Sequence, residues 1–216
     1  MAGCAKCGAA VGGSAHALFC HGRHNAGEGT KLHNGLEREL SARITASTGV
    51  AAETTEPFVG IADNRRMDLV CAPDSFQATA QTNPVFDKSL MIDLSTVTVR
   101  SGKHRDLASH NVAECLRQVE ARKQEHYSGT FNPNSHVLKT FAVSTFGALG
   151  VEAKQVIEAM VTEEVARSGF VADGAVMADA QSWLKSSIVA RIRGRLSVKL
   201  HAGISARVLE VSDSPH

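Results

Sequence analysis

The sequence predicts a mixed α/β (α+β) domain behind a small cysteine- and histidine-rich segment. Three observations carry this. Short apolar runs at residues 67–72, 90–99 and 136–145 have strand character. They interleave with segments in which apolar residues recur at helical spacing. Residues 1–30, by contrast, hold almost no aliphatic side chains but three of the five cysteines.

Taken in order, Leu32, Leu36, Leu40 and Ile44 form a four-residue apolar stripe with Glu37, Arg38 and Glu39 between, which predicts a helix ended by Gly49. Residues 51–64 read as a loop around Pro57. Residues 67–72 (Met-Asp-Leu-Val-Cys-Ala) predict a buried strand with one embedded acid. Residues 73–88, with Pro73, Asp74, Asn83 and Pro84, read as a connecting loop. Residues 90–99 (Leu-Met-Ile-Asp-Leu-Ser-Thr-Val-Thr-Val) are β-branched and alternate toward their end, the strongest strand signal in the chain. A helix is predicted over 106–127 from Val112, Cys115, Leu116 and Val119. A strand follows at 136–145, a turn at 146–150, an amphipathic helix at 151–166 and a second turn at Asp173-Gly174. A last helix spans 176–200 and ends in a basic stretch. The order of helices and strands reads as an α/β or α+β domain. The domains expected are a small metal-binding knuckle at 1–30, a core at 31–168 and a C-terminal helical extension at 169–216.

With 43% hydrophobic and 21% charged residues, the chain can build an ordinary packed core. No apolar run approaches the roughly 18 residues of a membrane span, and residues 1–13 lack the basic-then-apolar order of a secretion signal. A soluble intracellular protein with no membrane partner is therefore expected. Net charge is only +1, so bulk electrostatics do not announce a polyanion binder. Binding to nucleic acid would have to come from local clusters: Arg65-Arg66, residues 100–105, and Arg191, Arg193 and Arg195.

An odd number of cysteines without a secretion signal argues against a disulfide framework. Cys4-x2-Cys7 followed by His16-x3-Cys20 gives four ligands in two close pairs. Zn²⁺ favours such a tetrahedral thiolate–imidazole set, closed and structural. His21 and His24 are close enough to replace His16 or Cys20. A segment with so little apolar content needs an ordering ligand to fold.

Asp68 and Asp93 each interrupt a strand that otherwise reads as buried. A carboxylate there is costly unless paired or bound to a cation. If the two strands are neighbours, the pair can hold Mg²⁺, which takes one or two carboxylates and completes its shell with water and phosphate. That suits phosphodiester hydrolysis. Lys123, late in the following helix, can reach back toward the charge that develops on phosphorus. The plainer alternatives are a solvated helix lysine and strand acids held in salt bridges.

Read together, these features form a series: Cys4-x2-Cys7, His16-x3-Cys20, Arg23-His24-Asn25, Arg66-Met67-Asp68-Leu69-Val70, Asp93-Leu94-Ser95 and Lys123-x2-His126-Tyr127. The series resembles the restriction-enzyme-like endonuclease domain, of the PD-(D/E)XK superfamily, at the C-terminal end of some non-LTR retrotransposon reverse transcriptases. In that family a CCHC zinc knuckle and an Arg-His-Asn/Asp segment precede the nuclease core, and a Gly-rich turn comparable to residues 146–150 follows it. The similarity spans most of residues 4–150.

The resemblance implies a mixed sheet flanked by helices and a metal-dependent endonuclease that nicks DNA, with structural Zn²⁺ and catalytic Mg²⁺. Asp68 and Asp93 would bind magnesium. Lys123 would be the active-site lysine, displaced from strand to helix because Ser95 occupies the Asp-x-Lys position, and Tyr127 would support the site. Arg23, His24, Arg66 and His126 would contact nucleic acid, with DNA the expected partner, RNA a second one, and the nucleus the expected location. Met67 departs from the family's proline, and His126 stands where a second lysine is usual. No reverse transcriptase fits in 216 residues.

Two competing readings follow from the same residues: a catalytically inactive, zinc-stabilised nucleic-acid-binding remnant, and an unrelated zinc-stabilised interaction module. Glu37 or Glu39 is a candidate extra carboxylate. Cys71, Cys115 and the single tryptophan, Trp183, are expected in the core.

Overall fold

The computed structural model describes residues 26–54, 67–97, 111–169 and 175–212. Cys4, Cys7, His16, Cys20, Arg23, His24 and Arg66 lie outside the described residues. So do residues 100–105 and the turn at Asp173-Gly174.

Helix α1 (Ala26–Thr48) forms where the leucine stripe predicts it. Leu32, Leu36, Leu40 and Ile44 are all buried. The helix stops at Gly49, whose φ of 77° is a conformation that favours glycine, and whose N–H still reaches the Thr45 carbonyl. A four-stranded sheet follows, ordered β1 (Glu53–Thr54), β2 (Leu69–Cys71), β3 (Ser89–Val97) and β4 (His136–Ser144). The first three strands are antiparallel neighbours, and β4 runs parallel to β3. The expected mixed sheet flanked by helices is thus the class observed.

Two stretches expected to be loops are ordered differently. Residues 53–54 pair with β2, an edge pairing of two residues too short to leave a pattern in the sequence. Residues 73–88 form two 3-10 turns, Pro73–Phe76 and Pro84–Asp87, around a short helix α2 (Gln77–Ala80). Both prolines open these turns, where a missing N–H costs nothing. The segment is pinned by Phe76 and Phe86, buried with ring centroids 5.6 Å apart. The buried Glu163 carboxylate accepts the Ala78 and Thr79 N–H groups and the Thr79 hydroxyl.

Helix α3 (Val112–His126) is the crossover that joins the parallel strands β3 and β4, as parallel pairing requires. Asn111 caps it by accepting the Glu114 N–H. Helix α4 (Val151–Arg167) and the 38-residue α5 (Ala175–Ser212) complete the fold. Leu90, Ile92 and Leu94 of β3 and Phe141 and Val143 of β4 share one core with α1, α4 and α5. On the opposite face Val97 and Ala142 meet Cys115, Leu116 and Val119 of α3. Cys71 and Cys115 are buried as expected.

Ile188, Ile192, Leu196 and Leu200 of α5 belong to the main core, so the C-terminal helix contributes to the same hydrophobic cluster as the sheet. Gly203 lets α5 come close to α1, since a Cβ there would sit 2.5 Å from Leu32 Cδ1. Trp183 corrects the expectation of a core residue: it is 72% exposed. It stands five residues ahead of Ile188, about 140° around the helix from the buried seam, whereas Leu184 keeps the four-residue step. No helix among the described residues is long and apolar enough to cross a membrane.

Candidate active site

The antiparallel register pairs Leu69 with Ile92, so one further step brings Asp68 opposite Asp93. β2 ends at this step, and the Asp68 side chain takes over the ladder: its Oδ2 accepts the Leu94 N–H at 2.5 Å. The register thus sets the two acids on neighbouring strands, with Asp68 bonded to α1 and Asp93 to α3.

Asp93 lies in β3 on the α3 side, two residues from Met91, which packs with Tyr127. It is only 4% exposed. Because α3 crosses back over the sheet between parallel strands, its last turn returns over the middle of β3. That turn carries Lys123, and Tyr127 follows as the C-cap. Lys123 Nζ donates to Asp93 Oδ1 at 3.0 Å, and the Tyr127 hydroxyl donates to the same oxygen at 2.9 Å. Ser95 Oγ donates to Asp93 Oδ2 at 3.2 Å. Lys123 also lies 5.9 Å from the Tyr127 ring centroid. His126 sits edge-on to that ring at 4.8 Å. The structure thus gathers Asp93, Lys123 and Tyr127, with His126 alongside, and places Asp68 on the neighbouring strand with its own partners.

Sequence reasoning missed one member. His33 of α1 bonds through Nε2 to Asp68 Oδ1 at 3.0 Å. That hydrogen bond holds the imidazole above its usual pKa against the opposing effect of burial, with further support from the charges of Asp68, Glu37 and Asp93. One turn along α1, burial pushes the Glu37 carboxyl up, and the charge of Asp68 pushes it further. Of the two candidate glutamates, Glu37 feels the site, whereas Glu39 pairs with Arg43 at 3.2 Å. The available signal was the four-residue spacing of His33 and Glu37 beside the leucine stripe, which places both on one flank of α1.

Among the described residues, no three His, Cys, Asp or Glu side chains form a group that could hold a metal ion. The site instead offers two separately held carboxylates, Asp68 partly exposed beside His33 and Asp93 deep, with an ammonium and a phenol on Asp93. A buried carboxylate that draws a lysine and two hydroxyls is fully satisfied and positioned within the fold. No family model and no curated protein matches the chain.

Proposed function

We propose that this chain is a metal-dependent DNA endonuclease domain of the PD-(D/E)XK type, akin to the nicking domain of non-LTR retrotransposon proteins. One observation carries the reading: a helix lysine and a tyrosine converge on Asp93 Oδ1 while Asp68 stands opposite Asp93 across the strand pair. A displaced active-site lysine, reaching from the crossover helix to the place that Ser95 occupies in the strand, predicts this contact. The helix–strands–helix–strand order and the mixed sheet support the same reading.

The donor set suits a hard divalent cation. Asp68 and Asp93 supply carboxylate oxygens, and Mg²⁺ needs only one or two of these beside water and phosphate oxygens. When bound, the ion would polarise the phosphoryl oxygen and activate water. Water oxygen bonds to phosphorus, one phosphorus–oxygen ester bond breaks, and the departing oxygen takes a proton.

The chain's own groups do the positioning. Asp68 is held by His33 and the Leu94 N–H, which fix its carboxylate at the end of β2. Lys123, its side chain 29% exposed, is able to turn from Asp93 toward a phosphate and stabilise the charge that develops there. Tyr127 keeps Asp93 oriented while this happens. Structural Zn²⁺ at Cys4, Cys7, His16 and Cys20, nucleic-acid contacts from Arg23, His24, Arg66 and His126, DNA or RNA partners and a nuclear location complete the proposal.

The binding-only alternative has one observation in its favour: every Asp93 and Asp68 oxygen already has a protein donor, as in a purely structural cluster. Plasmid nicking separates the two. Purified chain in low salt with Mg²⁺ or Mn²⁺ should convert supercoiled DNA to the relaxed form, and Asp93→Ala or chelator should abolish it. Folded, zinc-loaded and DNA-bound protein that leaves supercoiled DNA intact would establish the binding-only remnant instead.

A further inference from the structure

Helix α5 holds the chain's strongest charge asymmetry. Residues 180–209 contain six Lys and Arg and no Asp or Glu, in a chain whose net charge is +1. The buried seam at Ile188, Ile192, Leu196 and Leu200 advances by four, so every other position on the helix falls into a row of the same step. One row, just before the seam, runs Trp183, Ser187, Arg191, Arg195 and Lys199. The row just after it runs Lys185, Val189, Arg193, Ser197 and His201. Between them lie Ser186, Ala190, Gly194, Val198 and Ala202, all exposed and mostly small, with Arg193 and Gly194 at the rim of a cavity that Leu36, Leu116 and Phe141 also line.

The helix therefore presents a low crown between two basic flanks. Arg191 is tied to Glu164 of α4 by an ion pair. Among the described residues, none makes a hydrogen bond or ion pair with Arg193, Arg195 or Lys199. From Lys185 to Lys199 the flanks span about 21 Å at 1.5 Å per residue. Duplex DNA offers a negative charge about every 1.7 Å of its axis, and its major groove, about 12 Å wide, admits one α-helix. A crown of small side chains lets the helix axis come close enough for both flanks to reach phosphates. A lipid surface fits less well, because the apolar side of α5 is already buried against the core and cannot enter a bilayer.

We propose that the exposed side of α5 docks into the major groove of duplex DNA, with Lys185 and Arg193 on one wall and Arg195 and Lys199 on the other. The crown offers few groups that read base edges, so binding is independent of sequence. This rests on the reading of the chain as DNA-acting, and it assigns the surface that holds the duplex.

Trp183, the single tryptophan, heads one basic row and supplies the probe. A short DNA duplex is titrated into the full chain without added Mg²⁺, following Trp183 emission and duplex anisotropy from low to moderate salt. The triple variant Arg193→Gln, Arg195→Gln, Lys199→Gln should lower the slope of log affinity against log salt by about 2 to 3, at roughly 0.9 per neutralised phosphate. Affinity at 0.1 M salt should fall roughly tenfold for each phosphate that no longer meets a cationic side chain. Gly194→Leu tests the crown, because nothing lies within 4 Å of a Cβ there and the fold tolerates the side chain. It should weaken binding several-fold without lowering the melting temperature, since leucine is the better helix former, and without altering the salt slope.

Unchanged slope and affinity in the triple variant, or Trp183 emission indifferent to saturating duplex, overturns the assignment. So does equal binding to phosphatidylserine vesicles at the same salt. Asp93-dependent nicking that survives such a result keeps the nuclease reading and moves the DNA to another face. The expected decrease in slope without any nicking keeps the α5 assignment and rejects the nuclease.

Discussion

Replacing Lys123 with methionine tests the Asp93 cluster most directly. The stem of the side chain is kept and its charge removed. Asp93 then sits in the sheet, 4% exposed, with only the Tyr127 and Ser95 hydroxyls as donors. Removing one partner of a fully buried ion pair costs about 3–5 kcal/mol. Here Lys123 is 29% exposed and two donors remain, which brings the cost toward that of a single charged hydrogen bond. We expect Lys123→Met to cost about 2–3 kcal/mol, or roughly 5–10 °C in melting temperature for a chain of this size.

The converse substitution is cheaper. Asp93→Asn removes the buried charge, leaves Lys123 free to turn to water, and should cost about 1 kcal/mol. The double variant should therefore be destabilised by less than the sum of the two singles, by about 1–2 kcal/mol. Urea unfolding of the four proteins, with and without millimolar Mg²⁺, measures all of this. If Asp93 binds the cation, Lys123 competes for the same oxygen, so Mg²⁺ should stabilise Lys123→Met more than the parent. Additive costs, or identical Mg²⁺ shifts in Lys123→Met and Asp93→Asn, would refute the reasoning.

Three further outcomes follow from the same structure. Gly150→Ala places a Cβ against the Glu120 carboxylate, 2.9 Å from its Cδ, and displaces it from the Glu152 N–H that it caps. The cost should be about 2 kcal/mol by urea unfolding, and mostly absent in a Glu120→Ala background. Burial is the main cause that raises the Glu120 pKa, so the stability tied to this group is full below the ordinary glutamate value. It is lost as pH rises through the raised folded value. Glu120→Gln should therefore gain on the parent as urea midpoints are followed upward from pH 4 to 7, and parallel curves would count against it. Finally, metal analysis should find about one zinc per chain, lost in Cys4→Ser and Cys7→Ser; retention of zinc by those variants would reject the knuckle.

What the sequence made legible was whatever one element decides alone. The leucine stripe of α1, the β-branched run of β3 and the periodicity of α3 and α4 each appear close to their expected bounds, because burial on one face writes a local pattern. Residues 73–88 read as loop because prolines break long elements, yet at the first position of a turn they start one. Trp183 was misjudged by residue type, when counting steps from Ile188 would have put it outside. The site was half legible. An acid inside an apolar strand is visible in the sequence, but whether Asp68 and Asp93 meet depends on a strand register fixed by pairing across a turn. His33 shows the limit: its spacing from Glu37 puts it on one flank of α1, but the partner that defines its role lies 35 positions away.

The position of Lys123 yields a last expectation. β3 and β4 are parallel, so α3 must run back against β3, and its C-terminal turn arrives over Asp93 rather than over Val97. The strand offers a second route to the same place. Ser95 is two residues beyond Asp93, on the same face of β3, and its hydroxyl already bonds Asp93 Oδ2. A lysine at 95 would restore the Asp-x-Lys order, with its ammonium near the carboxylate that Lys123 now serves. If the site needs an ammonium beside Asp93 and not that particular backbone position, Ser95→Lys should rescue Lys123→Met. Nicking should return to at least a tenth of the parent rate, and much of the stability should return with it, since the buried charge again has a partner. Rescue of stability without nicking would mean that the cluster is a structural ion pair and that the chemistry lies elsewhere. Rescue of neither, in a protein that still folds, would mean that only the crossover helix can deliver the group, and the equivalence of strand and helix lysines would fall.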